Sequence, residues 1–369
     1  MGPLSISLVV SPDGTVSARS WRKRTGTSSQ QRVDLTGLDG RVLRLFERWL
    51  MEPRVWDRED IRIFGQLLHR QLFPGEVWAW IEKQIHDRGD SVVRLQLAFP
   101  ADAASSRLAA LPWEYLCTPD RDGNEGRFLV LTPGLLLSRS VPPGTPPRAI
   151  IDIEQVRILP VVGDAHSDWL GPVDYQEALD SIAASGARAD FTVLDAAVEV
   201  TKDELGERVA AQHPHVVHYI GHGRFTPDTG RGALALRAEG GGTAWVDEDG
   251  LADKLCTDQW APTIIILHAC EGGRNDYEYR HAGLAPALVR QGVQCVVAMQ
   301  YPVTNETAIQ FSTALYDALA DLQYLDEAVH TARRKVWTAT DDARLLGVPM
   351  IYQRNAAPLL GGRAREPRG

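Results

Sequence analysis

Apolar and polar residues alternate from Leu4 to Val10, which predicts a strand with one buried face, and Ser11-Pro12-Asp13-Gly14 reads as the turn that closes it. The spacing then changes to that of helices, over 41–50 and over 59–72, where Ile61, Phe64, Leu68 and Leu72 fall on one face. Val92 to Phe99 returns to alternation. Phe128 to Leu131 and Leu135 to Val141 are expected to form a strand pair about a Pro133-Gly134 turn.

Beyond residue 148 the rhythm becomes regular. Short apolar runs at Val156–Val162, Phe191–Leu194, Val216–Ile220, Thr263–Leu267 and Cys295–Met299 predict buried strands. Between and after them, helices fit 173–185 with Gly186 at the end, 201–211 with Thr201 and Glu204 as a capping box, 282–290, 304–320 and 325–337. The apolar positions of 304–320 (Ala308, Ile309, Phe311, Leu315, Leu319) are assigned to the core. This alternation predicts an α/β fold, a mostly parallel sheet flanked by helices. Pro142-Pro143-Gly144-Thr145-Pro146-Pro147 separates the two textures. The expected division is an N-terminal accessory α/β region over 1–147, a catalytic region over 148–360 and a disordered tail over 361–369.

Composition narrows the function. At 44% hydrophobic and 24% charged, the chain is ordinary globular protein. A net charge of −9 disfavours a general grip on nucleic acid. No apolar run approaches the roughly 20 residues of a membrane helix, and no targeting segment is recognisable, so a cytoplasmic protein is expected. The four cysteines, Cys117, Cys256, Cys270 and Cys295, are too scattered for a disulfide framework or a zinc knuckle. No Walker-type loop is present, and Gly240-Gly241-Gly242 reads as a loop tip. No cofactor and no metal are expected.

Chemistry concentrates at two strand ends. One strand runs into Gly221-His222-Gly223, and a later one into Ala269-Cys270-Glu271-Gly272-Gly273. In a parallel sheet, ligands and reactive groups gather beyond the carboxyl ends of the strands. If the two strands are neighbours, His222 and Cys270 have the layout of a thiol nucleophile with its histidine. Backbone N–H groups of Gly223 and Cys270 would then serve as an oxyanion hole. His218 lies on the same strand as His222 but about 13 Å away, too far for a shared metal, and reads as a core histidine. Cys117, Cys256 and Cys295 read as packing residues, and Trp113 and Glu114 as a core aromatic with a buried carboxylate bonded to backbone.

These two strand ends, with "LAALPWEYL" at 108–116 and "VVAMQYPVTNETAIQF" at 296–311, resemble the CHAT domains, caspase-like cysteine peptidases related to caspases and separase. The resemblance covers roughly residues 90 to 355. It implies a caspase-like sheet with a degenerate, pseudo-caspase-like N-terminal unit, His222 as general base and Cys270 as nucleophile. It also implies a protein or peptide substrate bound near His268, Glu271, Gln300 and Tyr301. Caspases carry Gln two residues before the nucleophile; His268 stands there, so cleavage after Asp is not expected. The resemblance further implies a role in bacterial defence or regulated cell death, under a separate sensor or activator protein. Two other readings stay open: a non-peptidase cysteine hydrolase (amidase or esterase), and a catalytically silent adaptor.

Overall fold

A computed structural model describes residues 4–11, 13–20, 25–33, 37–50, 52, 54–73, 76–87, 91–99, 108–109, 111–140, 156–163, 173–187, 191–226, 231–257, 259–269, 284–301, 303–321 and 324–354. The proline-rich run at 142–147 and the tail over 361–369 lie outside the described residues.

The first strand, β1 (Leu4–Val10), buries Leu4, Ile6, Leu8 and Val10 as its alternation requires. The Gly14 N–H donates to the Ser11 carbonyl at 2.8 Å and closes the turn, at a φ of 82° that suits glycine. Antiparallel strands β2 (Thr15–Ser20) and β3 (Thr25–Arg32) follow, then helices α1 (Leu38–Leu50), α2 (Arg58–Leu72) and α3 (Val77–His86). Strands β4 (Val93–Ala98) and β5 (Leu135–Ser140) lie parallel to β1.

One expectation fails in this half. Phe128 to Leu131 is not a strand paired with β5. Leu129–Leu131 is a 3₁₀ turn. The Leu129 N–H is drawn to the Leu116 carbonyl, and Leu131 and Thr132 donate back to Phe128 and Leu129. Four apolar residues in a row satisfy a turn's burial as well as a strand's.

The second half proceeds through β6 (Val156–Val162), α4 (Gln176–Gly186), β7 (Phe191–Val193), β8 (Ala197–Val198), α5 (Lys202–Gln212) and β9 (Val216–Gly221). A separate three-stranded meander follows: β10 (Gly223–Thr226), β11 (Arg231–Arg237) and β12 (Thr243–Asp247). Then come α6 (Glu248–Leu255), β13 (Ile264–Ala269), α7 (Leu284–Gln291), β14 (Cys295–Met299), α8 (Asn305–Asp321), α9 (Leu325–Ala339) and β15 (Pro349–Gln353). Helix α5 starts as its sequence demands, with the Thr201–Glu204 capping box formed in both directions.

The strands form one large sheet in the order β3-β2-β1-β4-β5-β15-β14-β13-β9-β6-β7, with β8 also paired to β6. It is α/β and mostly parallel, in two blocks that run in opposite senses. Strands β14, β13, β9 and β6 are parallel to one another, as are β15, β5, β4 and β1. The antiparallel pair β14–β15 is the seam. One apolar core on one face runs through both blocks, and a second fills the other face of the C-terminal block.

The seam is reinforced by a buried polar cluster. The Arg139 guanidinium on β5 donates to both Glu114 carboxylate oxygens, at 2.9 Å through Nε, and to the carbonyls of Ala109 and Leu111. Gln300, just past β14, donates through Nε2 to Glu114 at 2.9 Å and to the Gly347 carbonyl. Removing one member of a buried pair strands the other charge, at a cost of about 3–5 kcal/mol. Glu114→Ala is therefore expected to lower unfolding free energy by about that much in urea denaturation, against about 1 kcal/mol for the helix-cap change Thr201→Ala.

Candidate active site

Strands β9 and β13 are hydrogen-bonded neighbours, parallel and in register, with Ala269 opposite Gly221. Both end flush on that pair. His222 is the next residue after one strand end and is almost wholly buried. Cys270 is the next residue in sequence after the other; Cys270 and Glu271 lie outside the described residues.

The turn at His222 is built around a tyrosine. Gly221 adopts a φ of 157°, and a Cβ there would sit 2.6 Å from the Tyr219 hydroxyl oxygen. Only glycine fits both conditions. The Tyr219 hydroxyl shares its proton between the carbonyls of His222 (2.8 Å) and Ala235 (2.9 Å). Gly163, at the end of β6, makes room on the other side: a Cβ there would lie 2.5 Å from the same hydroxyl. Tyr219 thus fixes the chain at His222, a role the sequence reading missed. Its one signal was a polar-tipped aromatic three residues before His222, in a run otherwise free to be aliphatic.

Gly223 opens the meander opposite Leu234, and the Ala235 N–H donates to the His222 carbonyl at 2.9 Å. That bond makes Gly223–Leu234 a non-hydrogen-bonded pair of the antiparallel ladder. The Gly223 N–H therefore points away from β11, on the outer edge of the meander. An oxyanion donor needs that freedom from the ladder.

His218 and His268 lie beneath the strand ends on one face of the sheet, with ring centroids 5.7 Å apart. The Tyr316 hydroxyl of α8 meets His218 Nδ1 at 2.9 Å. His218 Nε2 and both His268 ring nitrogens have no hydrogen-bond partner among the described residues. Burial disfavours the charged imidazolium, pulling His268 down to about 4 and holding His218 well below the usual histidine range, with His268 adding to the latter. Gln300 and Tyr301, at the end of β14 next door, are also buried. Gln300 is committed to Glu114 and Gly347, and the Tyr301 ring packs 6.3 Å from that of Tyr115. The structure thus gathers His222, Gly223, His268, Gln300 and Tyr301 at the ends of three adjacent strands, with His268, Gln300 and Tyr301 closed to solvent.

Two of the other thiols, Cys117 and Cys295, are unsuited to nucleophilic work. Burial pushes Cys117 up to about 12 and Cys295 higher still, so both stay protonated at neutral pH. The Glu114 carboxylate is buried as expected, but its partners are the Arg139 and Gln300 side chains rather than backbone, because the guanidinium brings the compensating charge.

A protein-family model described as the CHAT domain matches residues 62–359. No curated protein matches the chain. Among solved structures, a chain of the Saccharomyces cerevisiae separase–securin complex at 3.0 Å resolution is similar, with TM-score 0.51 and 10% identity over 96% of this chain. A 2.6 Å structure of the same complex gives TM-score 0.49 and 10% identity over 95% of this chain. This chain spans about 30% of the length of those matched chains, and at such identity the likeness concerns the fold.

Two measurements follow from the geometry. Gly221→Ala forces a side chain into the Tyr219 hydroxyl and is expected to cost more than about 1 kcal/mol of stability in chemical denaturation. Acidification is expected to destabilise the fold. His268, His69, His215 and His330 are held near 4 when folded, all chiefly by burial, but titrate near 6.5 when unfolded. The unfolded chain therefore binds more protons between these limits, and stability falls as pH drops from about 6.5 to about 4, each such histidine adding up to about 1.4 kcal/mol per pH unit. In His268→Leu, urea titrations at pH 7, 6 and 5 should give a shallower fall.

Proposed function

This chain belongs to the CHAT domain family, and on that premise we propose that it is a cysteine endopeptidase working through a Cys270–His222 dyad. The observation that carries the reading is the register of β9 and β13, which end together one residue before His222 and one residue before Cys270. The outward-facing Gly223 N–H supports the oxyanion role, completed by the Cys270 N–H.

The chemistry runs in two halves. The Cys270 thiolate attacks the scissile carbonyl carbon, and the oxyanion is held by the two N–H groups. The tetrahedral adduct collapses, the C–N bond breaks, and the imidazolium of His222 gives its proton to the departing amine. Water then attacks the thioester while neutral His222 takes its proton. Collapse releases the carboxyl product and restores thiolate and imidazolium. No metal or cofactor takes part.

The division of labour belongs to the same proposal. Residues 148–360 carry the dyad, and 1–147 support them across the β14–β15 seam through Glu114 and Arg139. Glu271 is assigned to the substrate side with His268, Gln300 and Tyr301; for the last three, nearly without solvent exposure, that role requires the pocket to open on binding. The biological reading is cleavage of a partner protein in the cytoplasm, in bacterial defence or regulated cell death, under a separate sensor or activator.

Cleavage of a proteome-derived peptide pool tests the mechanism. Wild type is expected to cut peptides, and Cys270→Ala and His222→Ala to lose at least about a thousandfold in rate. Equal cleavage by wild type and Cys270→Ala would reject the dyad. Activity is expected without chain cleavage between 271 and 283, checked by the intact mass of the active protein.

A further inference from the structure

The meander that begins one residue after His222 has two unlike faces. Leu234, Leu236 and Val246 turn into the core. The opposite face is set by cross-strand register. One row joins Arg224, Ala233 and Asp247, and the next joins Ala235 and Trp245, with the His222 carbonyl bonded to Ala235 at its end. The alanines of the central strand leave space above them. Arg224 uses it, laying its guanidinium over the Trp245 ring at 4.6 Å from the centroid. Arg224 is exposed, and its cation is held flat and ready.

Trp245 also lines a shallow groove of about 520 Å³ with exposed Lys202 and Arg237. Of its acids, Asp203 is paired with Lys254 at 2.6 Å, while Asp247 shares Arg231 with Glu248 and Asp249. Glu204 accepts from the Thr201 N–H, a bond that with the nearby Arg237 charge holds its carboxyl below the usual value. Lys202 and Arg237 therefore face Asp247 and Glu239, and the groove carries no excess of cations. The cation held out beside the tryptophan is Arg224. Strand spacing puts Trp245 about 10 Å from His222 across Ala235, and Arg224 about 7 Å along β10. Those separations equal two to three residues of extended peptide.

Resting on the peptidase reading, we propose that this face selects substrates with an acidic side chain two or three residues beyond the scissile bond, on the amine side. Arg224, held by Trp245, binds that carboxylate. The amine side is indicated because His222, which protonates the leaving amine, stands at the head of the meander.

The test has a binding arm and a cleavage arm. Full-length Cys270→Ala protein is titrated with fluorescein-labelled peptide pools that differ only in Glu against Gln at the downstream positions. Glu peptides are expected to bind at least about tenfold tighter, the size of one charge-assisted contact, and less so at high salt. The advantage should vanish in Arg224→Glu and survive in Arg237→Glu, both exposed sites, with thermal unfolding confirming the fold. Equal binding of both pools, or an advantage that survives Arg224→Glu, overturns the proposal. In the cleavage arm, wild-type protein that cuts peptides with no downstream acidic preference overturns this proposal and leaves the dyad standing. A preference for acidic peptides that is lost in Arg224→Glu, with no cleavage by wild type, supports the cationic surface and counts against the peptidase reading.

Discussion

The side-by-side register of β9 and β13 is the constraint on which the candidate site depends. A slip of one residue would put His218 and His268 on opposite faces of the sheet and leave the two strand ends uneven. Hydrophobicity alone does not prevent it, because both strands are apolar on both faces: Val216, Ile220, Ile264 and Ile266 enter one core, and Val217, Tyr219, Ile265 and Leu267 the other. Polar groups act as the pins. At the entry, the His215 carbonyl accepts from the N–H groups of Thr263 and Ile264, and His215 Nδ1 accepts from the Arg157 N–H on the β6 side. Midway, His218 meets Tyr316. At the exit, the Tyr219 hydroxyl locks the His222 and Ala235 carbonyls. Buried polar bonds cost too much to be left unmade, so they discriminate between registers that burial ranks equally.

The same logic joins the N-terminal block to the site. Glu114 sits in a 3₁₀ turn far from the strand ends in sequence, yet it holds Arg139 of β5 and Gln300 of the β14 exit at once. A second buried pair, Arg94 with Asp326 at 2.6 Å, ties β4 to the start of α9, and Tyr324 lies 4.2 Å beneath the same guanidinium. The strand that precedes Gln300 is therefore held from the far block as well as from its own neighbours.

Much of this was legible in the chain. Parallel strands buried on both faces read as short apolar runs, which is why β6, β9, β13 and β14 fall within two residues of expectation. Helix α5 was marked by its own capping box. The meander was not read, although Ala233-Leu234-Ala235-Leu236 alternates small and large, because alanine gives so weak an apolar contrast. Strand β15 was missed too: Pro349 to Gln353 is short, and only its partner β14 shows that it runs the other way. The Glu114–Arg139–Gln300 cluster joins residues 25 and 186 positions apart, a pairing that no local pattern encodes.

Strand β15 sits between β5 and β14 and is formed by residues 349–353. In a nascent chain, β5 and β14 both leave the ribosome before it does, and neither has its neighbour until it arrives. Vectorial synthesis therefore delivers two half-sheets with raw inner edges, and the later strand β15 zips them together. Such edges invite pairing with other chains while they wait. The assembly of the large sheet thus includes a non-local closing step, in which β15 acts as keystone between the two blocks of described strands.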